Sequence, residues 1–308
     1  MAPSPPRSTK GVFAAALTTL STDLTLDTVA TVAHCQWLLA NGCDGLGLLG
    51  TTGEAPSFAV AERRRLLDAV LESGIPGKRL IVGTGAAALS DAVELTTASV
   101  DGGVSGCLLV PPFYYKNVSD DGVYTFYAEL IERVGRESLR LLLYHFPQMS
   151  AVPIPHGVIA RLMKDFPGIV TGLKDSSGDL DNMLELIDKF PGLEVFSGTE
   201  RYLLTILEAG GAGCITAGAN VTSSAIGALY THWCAAGADE EALVLQDRVI
   251  ELRDLLEGVA MIPAMKAMLA RHRDDPGLAR VAPPLVALGD RESAAFLARM
   301  DEAGLKLP

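Results

Sequence analysis

Short apolar runs of strand length alternate with longer amphipathic stretches along most of the chain. That alternation is the sequence form of repeated βα units built around a parallel sheet. The runs are VFAAALT (12–18), DGLGLLG (44–50), RLIVGT (79–84), GCLLVP (106–111), LRLLLYH (139–145), IVTGLK (169–174), LEVFSG (193–198) and GCITAG (213–218). Each is nearly continuous rather than alternating, as expected of strands covered on both faces. Between them lie helical segments such as TLDTVATVAHCQWLLANG and AVAERRRLLDAVLESG, with Ser, Thr or Asp near the start and Gly at the end. Eight such units predict an α/β chain closed into a (β/α)8 TIM barrel. An open doubly wound sheet is the rival, but VFAAALTTLSTD carries no dinucleotide glycine fingerprint after the first run. Beyond Asn220 the pattern is helical throughout, with helices expected near 222–236, 239–256, 264–272 and 291–303. The resulting organisation is an N-terminal tail (1–10), a barrel (11–237) and a C-terminal helical extension (238–308).

Composition narrows the choice of partners. The 308 residues are 49% hydrophobic and carry a formal net charge of -12. The absence of a basic face argues against nucleic acid or an anionic membrane surface and leaves small molecules as the default ligand. The opening MAPSPPRSTK has no apolar core of a secretion signal, and no later apolar run approaches a membrane span, so a cytoplasmic location is expected. Cys35, Cys43, Cys107, Cys214 and Cys234 are odd in number and widely spaced, and read as reduced core thiols.

Active sites of (β/α)8 barrels lie at the C-terminal ends of the strands. Polar residues there include Thr18, Thr51, Thr52, Tyr114, Tyr115, Tyr144, His145, Lys174, Thr199, Glu200 and Thr216. Of the lysines, only Lys174 ends an apolar strand; the others fall in tails, turns or helices. An amine partly withdrawn from water releases its proton more readily and can attack a carbonyl to form a Schiff base. Snorkelling to solvent or pairing with Asp175 is the structural alternative. In LLGTTGEAPSF two adjacent hydroxyls and tight-turn N–H groups suit a carboxylate, and the missing GK[ST] ending excludes a nucleotide loop. Tyr144 closes LLLYHFP at a depth where a phenol can relay protons, or simply be a buried tyrosine. His145 follows it and either lines the site or is a satisfied histidine. The His residues show no ligand-spaced pair, so no metal is expected, and no other cofactor is indicated.

GTTGE, PPFYY, LLLYHFP and GLKDSSGD, with GTGA (83–86), GGAGCITAGAN and IPAMK (262–266), stand in a recognisable order and spacing. Together they resemble the dihydrodipicolinate synthase and N-acetylneuraminate lyase family of Schiff-base class I aldolases, over residues 13–305. The resemblance implies a barrel with C-terminal helices, usually assembled as a homotetramer of two tight dimers. It implies Lys174 as the Schiff-base lysine, Tyr144 as the general acid and base, and Thr51 as the link from Tyr144 to Tyr114. Tyr114, or Tyr115 in this longer loop, would cross to the neighbouring subunit. Thr51 and Thr52 would hold the pyruvate carboxylate, Ile215 would lie beside the pyruvyl group, and Gly198 and Glu200 would contact the rest of the substrate. Where the synthases carry an arginine for the aldehyde partner's carboxylate, this chain has Met149, which cannot donate a charged bidentate bond. The expectation is therefore a lyase that cleaves a 2-oxo acid, with a 2-keto-3-deoxy sugar acid favoured, to pyruvate and an aldehyde. A dehydratase, a pyruvate-condensing synthase and a silent ligand-binding relative are the alternatives.

Overall fold

In the computed structural model, described for residues 9–307, eight parallel strands close into a barrel in strict sequence order, β1 through β8 with β8 back on β1. The strands are β1 (Gly11–Ala15), β2 (Gly45–Leu48), β3 (Leu80–Gly83), β4 (Gly106–Leu109), β5 (Leu141–His145), β6 (Val170–Asp175), β7 (Glu194–Ser197) and β8 (Gly213–Thr216), and the helices between them are α1 (Thr28–Ala40), α2 (Val60–Glu72), α3 (Leu89–Asp101), α4 (Asp120–Val134), α5 (Pro147–Ser150), α6 (His156–Asp165), α7 (Leu180–Lys189) and α8 (Leu203–Glu208). Each begins close to the start of its predicted apolar run, and most of the runs extend past the strand. The overshoot is physical: the chain leaves the ladder while still apolar, and those residues build the loops at the C-terminal face.

Inside the barrel Phe13, Ile81, Leu108, Leu142, Phe196 and Ile215 fill the axis, with Phe13 and Phe196 meeting edge to face at 5.9 Å between centroids. Alternation along each strand sends the other residues outward, where Leu141, Leu143, Leu173 and Val195 pack under the surrounding helices. Gly45 is required where that interior is tightest, since a Cβ there would strike the Phe13 ring.

After β8 the chain forms α9 (Ala219–Ala236), which completes the barrel layer, and then α10 (Glu240–Asp254), α11 (Met261–His272) and α12 (Asp290–Glu302). Asp239 caps α10 by accepting the Ala242 N–H at 2.9 Å. The extension packs as its own apolar cluster of Leu252, Leu256, Met265, Met268, Phe296 and Met300 over Leu17 and Val221 at the barrel's C-terminal face. Residues 1–8 of the predicted tail lie outside the described residues. Thr9 is buried, and its N–H donates to Glu194 at 2.8 Å. Four cysteines are buried as expected, whereas Cys234 is exposed because it falls on the outer side of α9. Among the described residues no helix is long and apolar enough to cross a membrane.

Asn220, at the start of α9, ties three layers together. Its Oδ1 accepts the Leu17 N–H and the His34 Nε2–H, each at 2.9 Å, while its amide donates to Ala15 O at 2.8 Å. Arg273 donates to the other His34 nitrogen at 3.1 Å, so both partners call for the neutral imidazole. Burial pushes His34 from the ordinary 6.5 down to about 4.

The unfolded chain therefore takes up this proton at a higher pH than the folded one. Stability is fully present above pH 6.5 and falls between there and pH 4, by on the order of 3 kcal/mol for this one group. Denaturant unfolding at pH 7, 5.5 and 4 checks this. A His34→Gln chain is expected to start less stable but to lose less over the same interval.

Candidate active site

The register between β5 and β6 brings the chemistry together. Tyr144 is paired directly with Lys174, and both side chains point into the barrel mouth. The Lys174 Nζ lies 4.6 Å from the centroid of the Tyr144 ring, and both residues are buried. The Tyr144 hydroxyl in turn stands 3.4 Å from Thr51 Oγ1. Among the described residues no carboxylate lies within ion-pair distance of Lys174.

Asp175 does not supply that partner. It is the next residue on the strand, so it faces outward, where it accepts the Ser177 N–H at 2.7 Å and the Asn182 amide at 2.6 Å. The alternative in which Lys174 pairs with its neighbour is thus removed by the pleat.

Thr51 and Thr52 sit in the turn after β2, and three features shape that turn. Leu49 and Glu54 both adopt positive φ, at 56° and 55°, and bracket it. Thr18, fully buried, donates to Gly53 O at 2.7 Å. Glu54 carries the turn's charge inward, where its carboxylate forms a buried ion pair with Lys266 of α11 and accepts the Ala282 N–H at 2.6 Å. Lys266 also donates to Arg280 O at 2.7 Å. Burial lowers the Lys266 pKa, with Glu54 opposing the shift. The helical extension is in this way clamped onto the loop that presents the two threonines.

A cavity of roughly 560 Å³ opens over these groups. Its floor is Thr51, Thr52, Tyr144, Lys174, Gly198 and Ala217; its sides are Phe146, Met149 and the turn Ser176–Gly178; its far wall is Arg253, Glu257, Met261 and Ile262 from the extension. Met149 is largely exposed, carried on a one-turn helix, α5 (Pro147–Ser150), that Pro147 initiates directly after β5.

The structure therefore gathers Lys174, Tyr144, Thr51, Thr52, Gly198 and Met149 around one space. The other expected residues lie elsewhere. His145 faces outward between β5 and the next helix, accepts the Ile154 N–H at 3.2 Å, and is held below the ordinary imidazole value by burial. Glu200 is fully buried behind the cavity wall, where Thr216 donates to one carboxylate oxygen and the other presses on Gly218, which tolerates it only for lack of a Cβ. Ile215 packs inside the barrel with Phe13 and Phe196 rather than on the cavity surface. Tyr114 and Tyr115 stack edge to face at 5.3 Å, and both are about three-quarters exposed, away from the cavity of their own chain. Arg253, Glu257 and Met261 were not anticipated: Arg253 and Met261 lie on helices and Glu257 in the turn that joins them, where a charged or apolar residue carries no positional signal.

Residues 8–300 match the model of the dihydrodipicolinate synthetase family. An uncharacterized DapA-like lyase of Chloroflexus aurantiacus is 35% identical over 94% of this chain and 95% of its own length. The crystal structure of dihydrodipicolinate synthase from Agrobacterium tumefaciens superposes with a TM-score of 0.84 at 32% identity, covering 95% of this chain and 99% of that one. A variant of Sulfolobus solfataricus 2-keto-3-deoxygluconate aldolase shares the fold, with a TM-score of 0.84 at 22% identity over 96% of each chain.

The clamp gives a direct test. Glu54→Gln or Lys266→Met alone leaves one buried charge without its partner and is expected to cost about 3–5 kcal/mol of stability. The double substitution is expected to recover much of that loss, as read by denaturant unfolding, while the turn bearing Thr51 stays less ordered by hydrogen exchange.

Proposed function

Because this chain belongs to the dihydrodipicolinate synthetase family of pyruvate-dependent lyases, we propose that it cleaves a 2-oxo acid reversibly to pyruvate and an aldehyde through a Schiff base on Lys174. A 2-keto-3-deoxy sugar acid is the substrate class. The observation that carries this reading is a buried lysine amine with no carboxylate partner among the described residues, set against a tyrosine whose phenol is within reach of a threonine hydroxyl.

Each residue then has a role that its position supports. Thr51, Thr52 and the N–H groups of their turn take the C1 carboxylate, because a carboxylate accepts several donors at once. Lys174 attacks C2 as the neutral amine. Tyr144 protonates the departing hydroxyl of the carbinolamine, and water leaves to give the iminium. The phenolate so formed takes the proton of the C4 hydroxyl as the C3–C4 bond breaks. The bond electrons pass into the iminium as an enamine, and the aldehyde departs. Protonation at C3 and hydrolysis return Lys174 and release pyruvate. Thr51 steadies the phenol and phenolate in turn.

The synthase reading requires a cationic group for the partner's carboxylate beside Tyr144, and Met149 supplies none. Exposure of the Tyr114–Tyr115 pair supports an assembly in which a second copy covers it and Tyr114 joins the partner's relay, as part of a homotetramer.

Borohydride reduction in the presence of pyruvate is expected to leave a stable adduct on the peptide containing Lys174, seen by mass spectrometry, and none in Lys174→Ala. An unmodified peptide in the native chain would refute the mechanism. Tyr144→Phe is expected to keep the adduct-forming lysine but to lower kcat by roughly 10²–10³ for pyruvate release from keto-deoxy acids.

A further inference from the structure

Lys174 and Asp175 are consecutive on β6, and each is a buried ionisable group with no opposite charge in contact among the described residues. On the cavity side the Lys174 amine meets the Tyr144 ring. On the helix side Asp175 is fully buried and meets only neutral donors, the Ser177 N–H at 2.7 Å and the Asn182 amide at 2.6 Å. Asn182 is oriented in turn by His156, at the start of α6, whose Nε2 lies 2.9 Å from the Asn182 Oδ1.

The other groups around Asp175 do not answer its charge. His145 is its register partner on β5 and faces the same layer. It accepts the Ile154 N–H through Nδ1 at 3.2 Å, a contact that only the neutral imidazole makes. Burial holds His145 below the ordinary range, with Asp175 opposing. Ser197, the register partner on β7, carries no charge. On α7, Asp179 at the N-cap adds a second negative charge, and Lys189 is engaged by Glu185 at 2.7 Å. His156 has the same Glu185 3.9 Å from its Nδ1.

Two opposite charges on the two faces of one strand, both buried, act on each other with little water between them to screen the field. The ammonium and the iminium of Lys174 are cations and gain from the carboxylate behind them; the free amine and the neutral carbinolamine do not. From this, and resting on the Schiff-base reading above, we infer that Asp175 is the counter-charge of the Schiff base, acting across β6 rather than in contact with it. Asn182 and His156 hold its carboxylate in place. The arrangement has a chemical reason: an anion inside the cavity would repel the carboxylate of the keto acid, whereas one behind the strand supports the cation and leaves the pocket free. Asp175 touches no reacting atom and transfers no proton.

The test follows the rate at which pyruvate becomes attached to Lys174 between pH 5 and 9, by cyanoborohydride trapping and mass spectrometry. Attack needs the free amine, so the rate falls on the acid side. Loss of the negative charge favours the free amine, and Asp175→Asn is expected to move that acid limb to lower pH by roughly 0.5–1 pH unit. The substitution keeps the volume, and Asn182 and His156 can reverse their polarity to meet the new amide. Asp175→Glu keeps the charge and is expected to return the limb to its native position. His145→Lys leaves Asp175 in place but answers its charge from the same layer. It is expected to move the limb in the same direction as Asp175→Asn, which keeps the test open should that variant not fold. Glu200→Gln removes a different buried carboxylate, the one bonded to Thr216, and is expected to leave the limb where it is. A loss of rate that is equal at every pH, or a displacement as large in Glu200→Gln, overturns the role of Asp175 while leaving the Schiff base standing. Failure of the native chain to trap pyruvate removes the Schiff-base reading itself, and the counter-charge with it.

Discussion

One register decides what this barrel can do. Strands β5 and β6 pair so that Tyr144 lies beside Lys174, and the two-residue period of a strand turns both inward. A slip of β6 by a single position would bring Asp175 into the mouth and send Lys174 under the helices. The register is held from both sides. Leu142, one inward step below Tyr144, and Phe196, the register partner of Lys174 on β7, pack in the barrel core, and Leu141, Leu143 and Leu173 pack on the outside. Asp175 adds a polar lock, since its carboxylate is satisfied only when it faces outward to Asn182 and Ser177. The same pleat that presents the amine thus removes its nearest anion.

The remaining parts of the site are positioned by contacts that cross large distances in sequence. Thr51 reaches Tyr144 only because the turn after β2 is fixed by Thr18 beneath it and by Glu54, which is anchored in the extension. The extension in turn is attached to the barrel through Leu17 and Val221 and through the Asn220 hub. Barrel and extension therefore do not divide the labour as scaffold and ornament. In the proposed reaction the strands fix the groups that act on the keto acid, and the helices fix the loop proposed to hold its carboxylate and form the wall beyond it.

This arrangement also accounts for what could be read from the sequence. The eight continuous apolar runs announce a doubly covered parallel sheet, and a lysine or tyrosine at the end of such a run is necessarily near the C-terminal face. Lys174, Tyr144, Thr51 and Thr52 were legible for that reason. His145, Glu200 and Ile215 were equally near in sequence, yet facing is decided by a single step of alternation and by the bend of a loop, and neither leaves a mark in composition. Ile215 points down the barrel, His145 points out of it, and Glu200 folds back onto Thr216. The Glu54–Lys266 pair was invisible because its members belong to separate motifs, GTTGE and IPAMK, each of which looks complete alone. Arg253 sits in ELRDLLEG, a stretch indistinguishable from the solvent face of any surface helix.

Two buried lysines in one chain show how environment assigns a role to the same side chain. Lys266 is enclosed by Glu54 and the Arg280 carbonyl, so two acceptors receive its protons and its charge is answered. Such an ammonium is a strut: its proton is held by acceptors that would be left unpaired without it. Lys174 is nearly as buried, but it meets the face of an aromatic ring and a cavity. The quadrupole of the ring tolerates a cation without binding its proton to a fixed acceptor. In the proposed reaction, conversion to an iminium would keep a positive charge at that same place while replacing N–H bonds by a bond to carbon, so the surroundings that accept the free lysine would also accept the intermediate. Exchange of these two settings would leave a pinned ammonium at the mouth and an unpaired amine in the core, and neither would serve catalysis or stability.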